Sequence, residues 1–249
     1  MAWPKPALLV RLLSVHVTTT GAGPRVVLVH GSVANGAMTW GRQPALAAHH
    51  TLVVVDRPGY PPNPPLERID FEEQAEQIAE LLEPGDHLVG HSYGGVISLL
   101  AAARRPALGS LTVCEPPAFG VARGNAAVED FLARFPEAPR DPRGYLAFFL
   151  PLVGSAMKLP DPLPPGLEAG ARAALAERPP DEAEIPFDVL SAAPFPKLVI
   201  SGAHHPAFDA VCDVLEKRLA AERAVLPGAG HSIPRAPGFG ERVAAFLTS

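Results

Sequence analysis

Four short apolar runs, RVVLV (25–29), TLVVV (51–55), HLVGH (87–91) and SLTVC (110–114), constrain what this chain can fold into more than any other feature. None alternates apolar with polar residues, so each reads as a strand buried on both faces, as in a parallel sheet covered by helices on either side. Helical stretches separate them. The clearest opens at Asp70, whose side chain is placed to cap the first turn with Glu73 completing a capping box, and it carries Phe71, Ala75, Ile78 and Leu82 along one face. The same alternation resumes near the C terminus with KLVIS (197–201), a helix over 208–219, RAVLP (223–227) and a closing helix over 239–247. Strands alternating with helices imply right-handed crossovers, an open doubly wound α/β sheet, and ligands at the carboxyl ends of the strands.

Between these halves the pattern changes. Of the 30 prolines, fifteen lie between Pro116 and Pro196 and five within Pro58–Pro65. Such density interrupts regular elements and marks the middle third as an insertion. The expected organisation is a core of residues 1–115 and 196–249 with a helical cap over 116–195. Within that cap Val128, Phe131, Leu132 and Phe135 repeat at helical spacing, and Tyr145–Val153 is strongly apolar. These pieces suit a lid whose underside covers the sheet's edge, with Phe119, Phe131, Tyr145, Phe148 and Phe149 as its contacts to a bound molecule.

At the other end, ALLVRLLSVHV (7–17) reads as a first strand running toward the turn at 21–24, because Arg11 interrupts it and no small-residue cleavage site follows. No run approaches the roughly 20 apolar residues of a membrane span. The formal net charge of −5, with no Lys/Arg cluster, offers no face to a phosphate backbone. The expectation is a cytoplasmic protein with a small-molecule substrate and neither nucleic acid nor membrane as partner; monomer and homodimer both stay open. Cys114 and Cys212 are too few for a disulfide framework and lie in no metal spacing, so they read as buried thiols.

The chemistry-bearing stretch is Gly90-His91-Ser92-Tyr93-Gly94, a G-x-S-x-G between a strand and a helix. A nucleophile on so sharp a turn needs small neighbours, and the turn lifts Ser92 Oγ clear of the sheet. A serine hydroxyl also needs a base. Among nine histidines, His231 in PGAGHSIP has both the chain order and a glycine-rich loop after the last strand. Backbone N–H groups must then face the developing oxyanion: Tyr93, which opens the helix after the nucleophile, and Ser32, in the tight turn after RVVLV, are the candidates.

LVHGS (28–32), DRPG (56–59), GHSYGG (90–95) and GAGH (228–231), taken in order, resemble the α/β-hydrolase superfamily over nearly the whole chain. The resemblance implies an α/β-hydrolase fold, with a mostly parallel eight-stranded sheet, helices on both faces and a helical cap inserted after the sixth strand. It also assigns the nucleophile to Ser92 and the base to His231. Two departures stand out. Where a D-x-x-G-x-G turn is usual this chain reads DRPGYPPNPP, and where an aspartate usually follows the seventh strand KLVISGAHHP places His205. Some members of the superfamily keep the acid at the end of the sixth strand, where SLTVCEPP places Glu115. The resemblance thus points to Glu115 as the expected acid, with Asp209 and the absence of an acid as open alternatives.

His204, His205 and His231 make no metal site in this reading, because adjacent side chains diverge and no HExxH accompanies them; no G-x-G-x-x-G follows the first strand, so no cofactor is expected. The expected function is hydrolysis of a small, rather apolar ester, thioester or lactone through an acyl-enzyme. The alternatives are C–C hydrolysis or cyclisation by the same residues, and a non-catalytic ligand-binding homologue.

Overall fold

The computed structural model describes residues 15–41, 43–155 and 157–248. Its seven strands are β1 (His16–Gly21), β2 (Arg25–Val29), β3 (Thr51–Asp56), β4 (His87–His91), β5 (Ser110–Cys114), β6 (Lys197–Ser201) and β7 (Glu222–Val225). They form one sheet in the order β1-β3-β2-β4-β5-β6-β7, parallel except for β1, which runs antiparallel to β3. The eight strands expected are thus seven among the described residues. Most of the run 7–17 lies outside them, and its last two residues, His16 and Val17, open β1. The closing strand ends two residues earlier than RAVLP suggests.

The apolar runs lie in the sheet because both of its faces are covered. On one face Val27, Val29, Val53, Val55, Leu88 and Val113 meet α3 (Phe71–Leu81), α4 (Tyr93–Ala102) and α9 (Pro206–Leu219). On the other, Val26, Leu28, Leu52, Leu198 and Ile200 meet α1 (Gly36–Trp40), α2 (Pro44–Ala47) and α10 (Phe239–Leu247). Each such side chain removed from water contributes about 1.5–3 kcal/mol, so neither face could be left bare. Asp70 does cap α3, accepting from the Glu72 N–H at 2.8 Å. The expected capping box does not form, because the Glu73 carboxylate turns instead to Arg68.

Between β5 and β6 the described residues hold α5 (Ala126–Ala133), α6 (Pro142–Leu152), α7 (Pro165–Leu175) and α8 (Phe187–Ala192), with 3-10 turns among them. Proline starts helices here more than it breaks them: Pro142 and Pro165 are the first residues of α6 and α7. A first helical position has no N–H to lose and wants the φ that proline fixes. No helix among the described residues is long and apolar enough to cross a membrane. The carboxyl ends of β2, β4, β5 and β6 lie side by side, and on either side of β2 lie β3 and β4, a point where strand order reverses and a crevice opens.

Candidate active site

Ser92 lies between β4 and α4 with φ 52° and ψ −127°, in the left-handed half of conformational space. The glycines around it are required by close approach. A Cβ on Gly90 would lie 2.3 Å from Ser98 Oγ, and one on Gly94 would lie 2.3 Å from the His30 carbonyl oxygen. Five non-glycine residues with positive φ occur among the described residues, and four of them, Val33, Ser92, Glu115 and Ala203, flank this crevice. Strain of this kind persists where the surrounding structure over-determines it, as it does at functional sites.

The loop after β7 brings His231 over Ser92, with Nε2 2.8 Å from Ser92 Oγ. Its Nδ1 lies 2.8 Å from Glu115 Oε2. A carboxylate only accepts, so Nδ1 carries the hydrogen and Nε2 is left to accept from the serine hydroxyl. His91 donates its Nε2–H to the His231 carbonyl at 2.7 Å and holds the loop from below. Burial, then repulsion from His231, lowers His91 to about 3, which keeps it neutral in that role.

Glu115 follows β5 directly and its side chain is fully buried. Its Oε1 accepts from the Gly202 N–H at 2.7 Å and faces His204 Nδ1 at 3.2 Å, off the ideal N–H line. Burial alone would raise this carboxyl, but the close approach of His204 and the hydrogen bond and charge of His231 outweigh it and hold it at about 2. His204 is raised in turn: burial lowers it, and the Glu115 carboxylate more than reverses that. Asp209 is elsewhere, its carboxylate facing Arg223 at 3.6 Å. His205 accepts from the Ala207 N–H at 3.2 Å and so caps α9. Donor atoms of Glu115, His204 and His231 come within 4.8 Å of one another. Each Glu115 oxygen also accepts a hydrogen bond from the chain, Oε1 from the Gly202 N–H and Oε2 from His231.

Ser92, His231, Ser32 and Tyr93 border one cavity of about 650 Å³. The Tyr93 N–H belongs to the first residue of α4, where no intrahelical acceptor exists. Gly31 draws the β2 loop against Ser92: a Cβ there would fall 2.7 Å from Ser92 Cβ. Four of the five expected aromatic contacts, Phe119, Phe131, Tyr145 and Phe149, line the cavity. Phe148 packs edge-on against Phe135 instead.

Sequence reasoning missed His204 and Glu177. His204 sits in the same SGAHHP turn as His205 but one residue earlier, and only the turn's geometry shows which ring meets Glu115. Glu177, beyond α7, is paired with the fully buried Arg57 at 2.5 Å. The signal for it was the unusual DRPGY, whose Arg57 and Tyr60 both turn out to bind that carboxylate.

Comparison with known proteins follows the same lines. The Alpha/beta hydrolase family matches residues 26–245. The pimeloyl-[acyl-carrier protein] methyl ester esterase of Aeromonas salmonicida is 43% identical over 111 residues, 43% of this chain and 44% of that protein. The protein of the same name from Methylococcus capsulatus is 32% identical over 181 residues, 68% of this chain and 67% of its own length. The alignments with the Aeromonas relatives thus span less than half of those proteins. Among solved structures, an alpha/beta hydrolase from Sphaerobacter thermophilus superposes with a TM-score of 0.66 at 25% identity, covering 94% of this chain and 96% of that one. With its sheet order, its strand-turn-helix serine and a match over nearly its whole length, the chain belongs to the alpha/beta hydrolase family.

Proposed function

We propose that this protein is a serine hydrolase that cleaves a small, rather apolar carboxylic ester, thioester or lactone through an acyl-enzyme. The observation that carries the reading is the unbroken relay Ser92–His231–Glu115, with two contacts of 2.8 Å, opening on an aromatic-lined cavity. Ser92 Oγ attacks the carbonyl carbon while His231 Nε2 takes its proton; Glu115 fixes the tautomer and stabilises the imidazolium. The N–H groups of Tyr93 and Ser32 receive the oxyanion. His231 then protonates the departing alcohol or thiol, and water attacks the acyl-serine with His231 again as base. The relatives named pimeloyl-[acyl-carrier protein] methyl ester esterase support an ester as the bond cleaved.

Residues 116–195 act as the cap in this reading, over a core of 1–115 and 196–249. Phe119, Phe131 and Phe149 supply an apolar wall suited to an acyl chain, in a cavity that Arg123, Arg140 and Arg178 also line. Hydrolysis of p-nitrophenyl esters of increasing chain length tests the proposal. Turnover is expected with a maximum at an intermediate chain, and Ser92→Ala should abolish it by about 10⁴-fold or more. Equal turnover by the folded Ser92→Ala variant would overturn the assignment.

A further inference from the structure

The geometry points to Glu177, a residue of the helical segment between β5 and β6, as the positioning residue that holds the β2 loop in the shape needed to receive an oxyanion. This rests on the reading above, in which the Ser32 N–H is an oxyanion donor. The loop in question is Gly31-Ser32-Val33, and each of its residues is held by a side chain of a single buried network, with His30 Nδ1 besides donating to the Gly31 carbonyl at 2.7 Å. Arg57 Nη2 donates to the Gly31 carbonyl at 3.0 Å, Ser32 Oγ donates to Glu177 Oε2 at 2.5 Å, and the Tyr60 hydroxyl lies 3.4 Å from the Val33 N–H. Glu177 ties the three together, because its Oε1 accepts from Arg57 at 2.5 Å and from Tyr60 at 2.8 Å. None of these contacts uses the Ser32 N–H.

The network is anchored from both sides. Arg57, wholly buried, also donates to Gln74 Oε1 at 3.1 Å, which fixes it to α3. The Glu177 backbone pairs with Ile69 in an isolated bridge, flanked by hydrogen bonds of 2.8 Å from Ile69 N to Ala176 O and from Arg178 N to Ile69 O. From above, α7 leaves no slack: a Cβ on Gly170 would fall 1.7 Å from the Val33 carbonyl oxygen. Val33 itself is held at φ 71°, a conformation that a β-branched residue adopts only under constraint.

A buried ion pair is a poor device for stability alone, since desolvation cancels much of its attraction. It is a good device for fixing one geometry. Here the geometry fixed is that of three consecutive residues bordering the reacting serine, and the carboxylate doing so comes from 145 residues away in the chain. The DRPGY sequence thereby finds its use: Arg57 and Tyr60 are present to bind Glu177. An oxyanion donor displaced by a fraction of an ångström loses most of its value, because its contribution depends on being in place before charge develops.

The test separates positioning from folding. Ser32→Ala keeps the backbone N–H and the Arg57–Glu177 pair and removes only the hydroxyl link. It should lower kcat for a p-nitrophenyl ester about 10-fold with KM nearly unchanged, short of the 10²–10³-fold loss of a whole donor. Ser32→Thr, which restores the hydroxyl, should recover kcat. Glu177→Gln should lower kcat at least as far, and affinity for a trifluoromethyl ketone, whose adduct carries the oxyanion, should fall with kcat in each variant. The inference is overturned if folded Ser32→Ala and Glu177→Gln both keep wild-type kcat, or if the loss falls wholly on KM. Should Glu177→Gln fail to fold, the Ala and Thr variants of Ser32 decide. If the wild-type protein neither hydrolyses esters nor takes a fluorophosphonate on Ser92, the hydrolase reading has failed and this inference with it.

Discussion

Replacing Ser92 by glycine should stabilise the protein relative to replacing it by alanine, the reverse of the usual order. Both substitutions delete the hydroxyl and its contact with His231, so that loss cancels in the comparison. What differs is the Cβ, which alanine keeps at φ 52° and ψ −127°. Backbone strain of this kind costs about 1–3 kcal/mol in a residue with a side chain. Glycine escapes it but gives up about 0.4–1 kcal/mol through the greater freedom of its unfolded chain. The Gly variant should therefore be the more stable by about 1.3 kcal/mol, the difference between the midpoints of those ranges. Urea unfolding reads this directly, as a higher midpoint for Ser92→Gly at unchanged slope. If Ser92→Gly were the less stable by the ordinary entropic penalty, the backbone at the turn would be relaxed, and the account of Gly90 and Gly94 as room for a strained nucleophile would be wrong.

Glu115→Gln should keep the fold and lower ester turnover by roughly 10⁴-fold, since an amide cannot stabilise the His231 imidazolium; turnover within tenfold of wild type would remove Glu115 from the relay. The same substitution should alter acid stability. With its folded pKa lowered to about 2 and an unfolded value near 4.3, Glu115 contributes fully above about pH 4.3, and this is lost as pH falls toward 2. Unfolding midpoints should show wild type losing on the order of 3 kcal/mol more than Glu115→Gln across that window; parallel curves would contradict the shift. Asp209→Asn should leave turnover within about twofold, because that carboxylate faces Arg223 on the surface of α9; a large loss would reopen the choice of acid.

What the sequence made legible follows from locality. Ser92 and the two glycines around it belong to one turn, and the buried strands declare themselves through unbroken apolar runs, so periodicity alone locates them. His231 needed only chain order and a loop. Glu115 is legible only through the family resemblance, which expects an acid near His205 or at the end of the neighbouring strand, two places that the sheet order β5-β6 brings together. By contrast, α7 is rich in alanine and follows two prolines, so neither its period nor its boundaries stand out. Glu177 is charged and follows that helix, and nothing local distinguishes it from a solvated residue. Its role depends on Arg57, 120 residues earlier, and becomes visible only when the segment between β5 and β6 lies over the β2 loop. The Glu73 capping box failed for a related reason: a tertiary neighbour, Arg68, competed for the carboxylate and won.

If His231 activates Ser92 as a nucleophile, covalent trapping should find that serine and no other. Wild-type protein treated with a fluorophosphonate, digested and analysed by mass spectrometry should carry one phosphonyl group on the peptide containing Ser92. Labelling should vanish in Ser92→Ala and slow by orders of magnitude in His231→Gln. Folded wild-type protein that stays unlabelled, or that is labelled at another residue, would show that Ser92 is not an activated nucleophile.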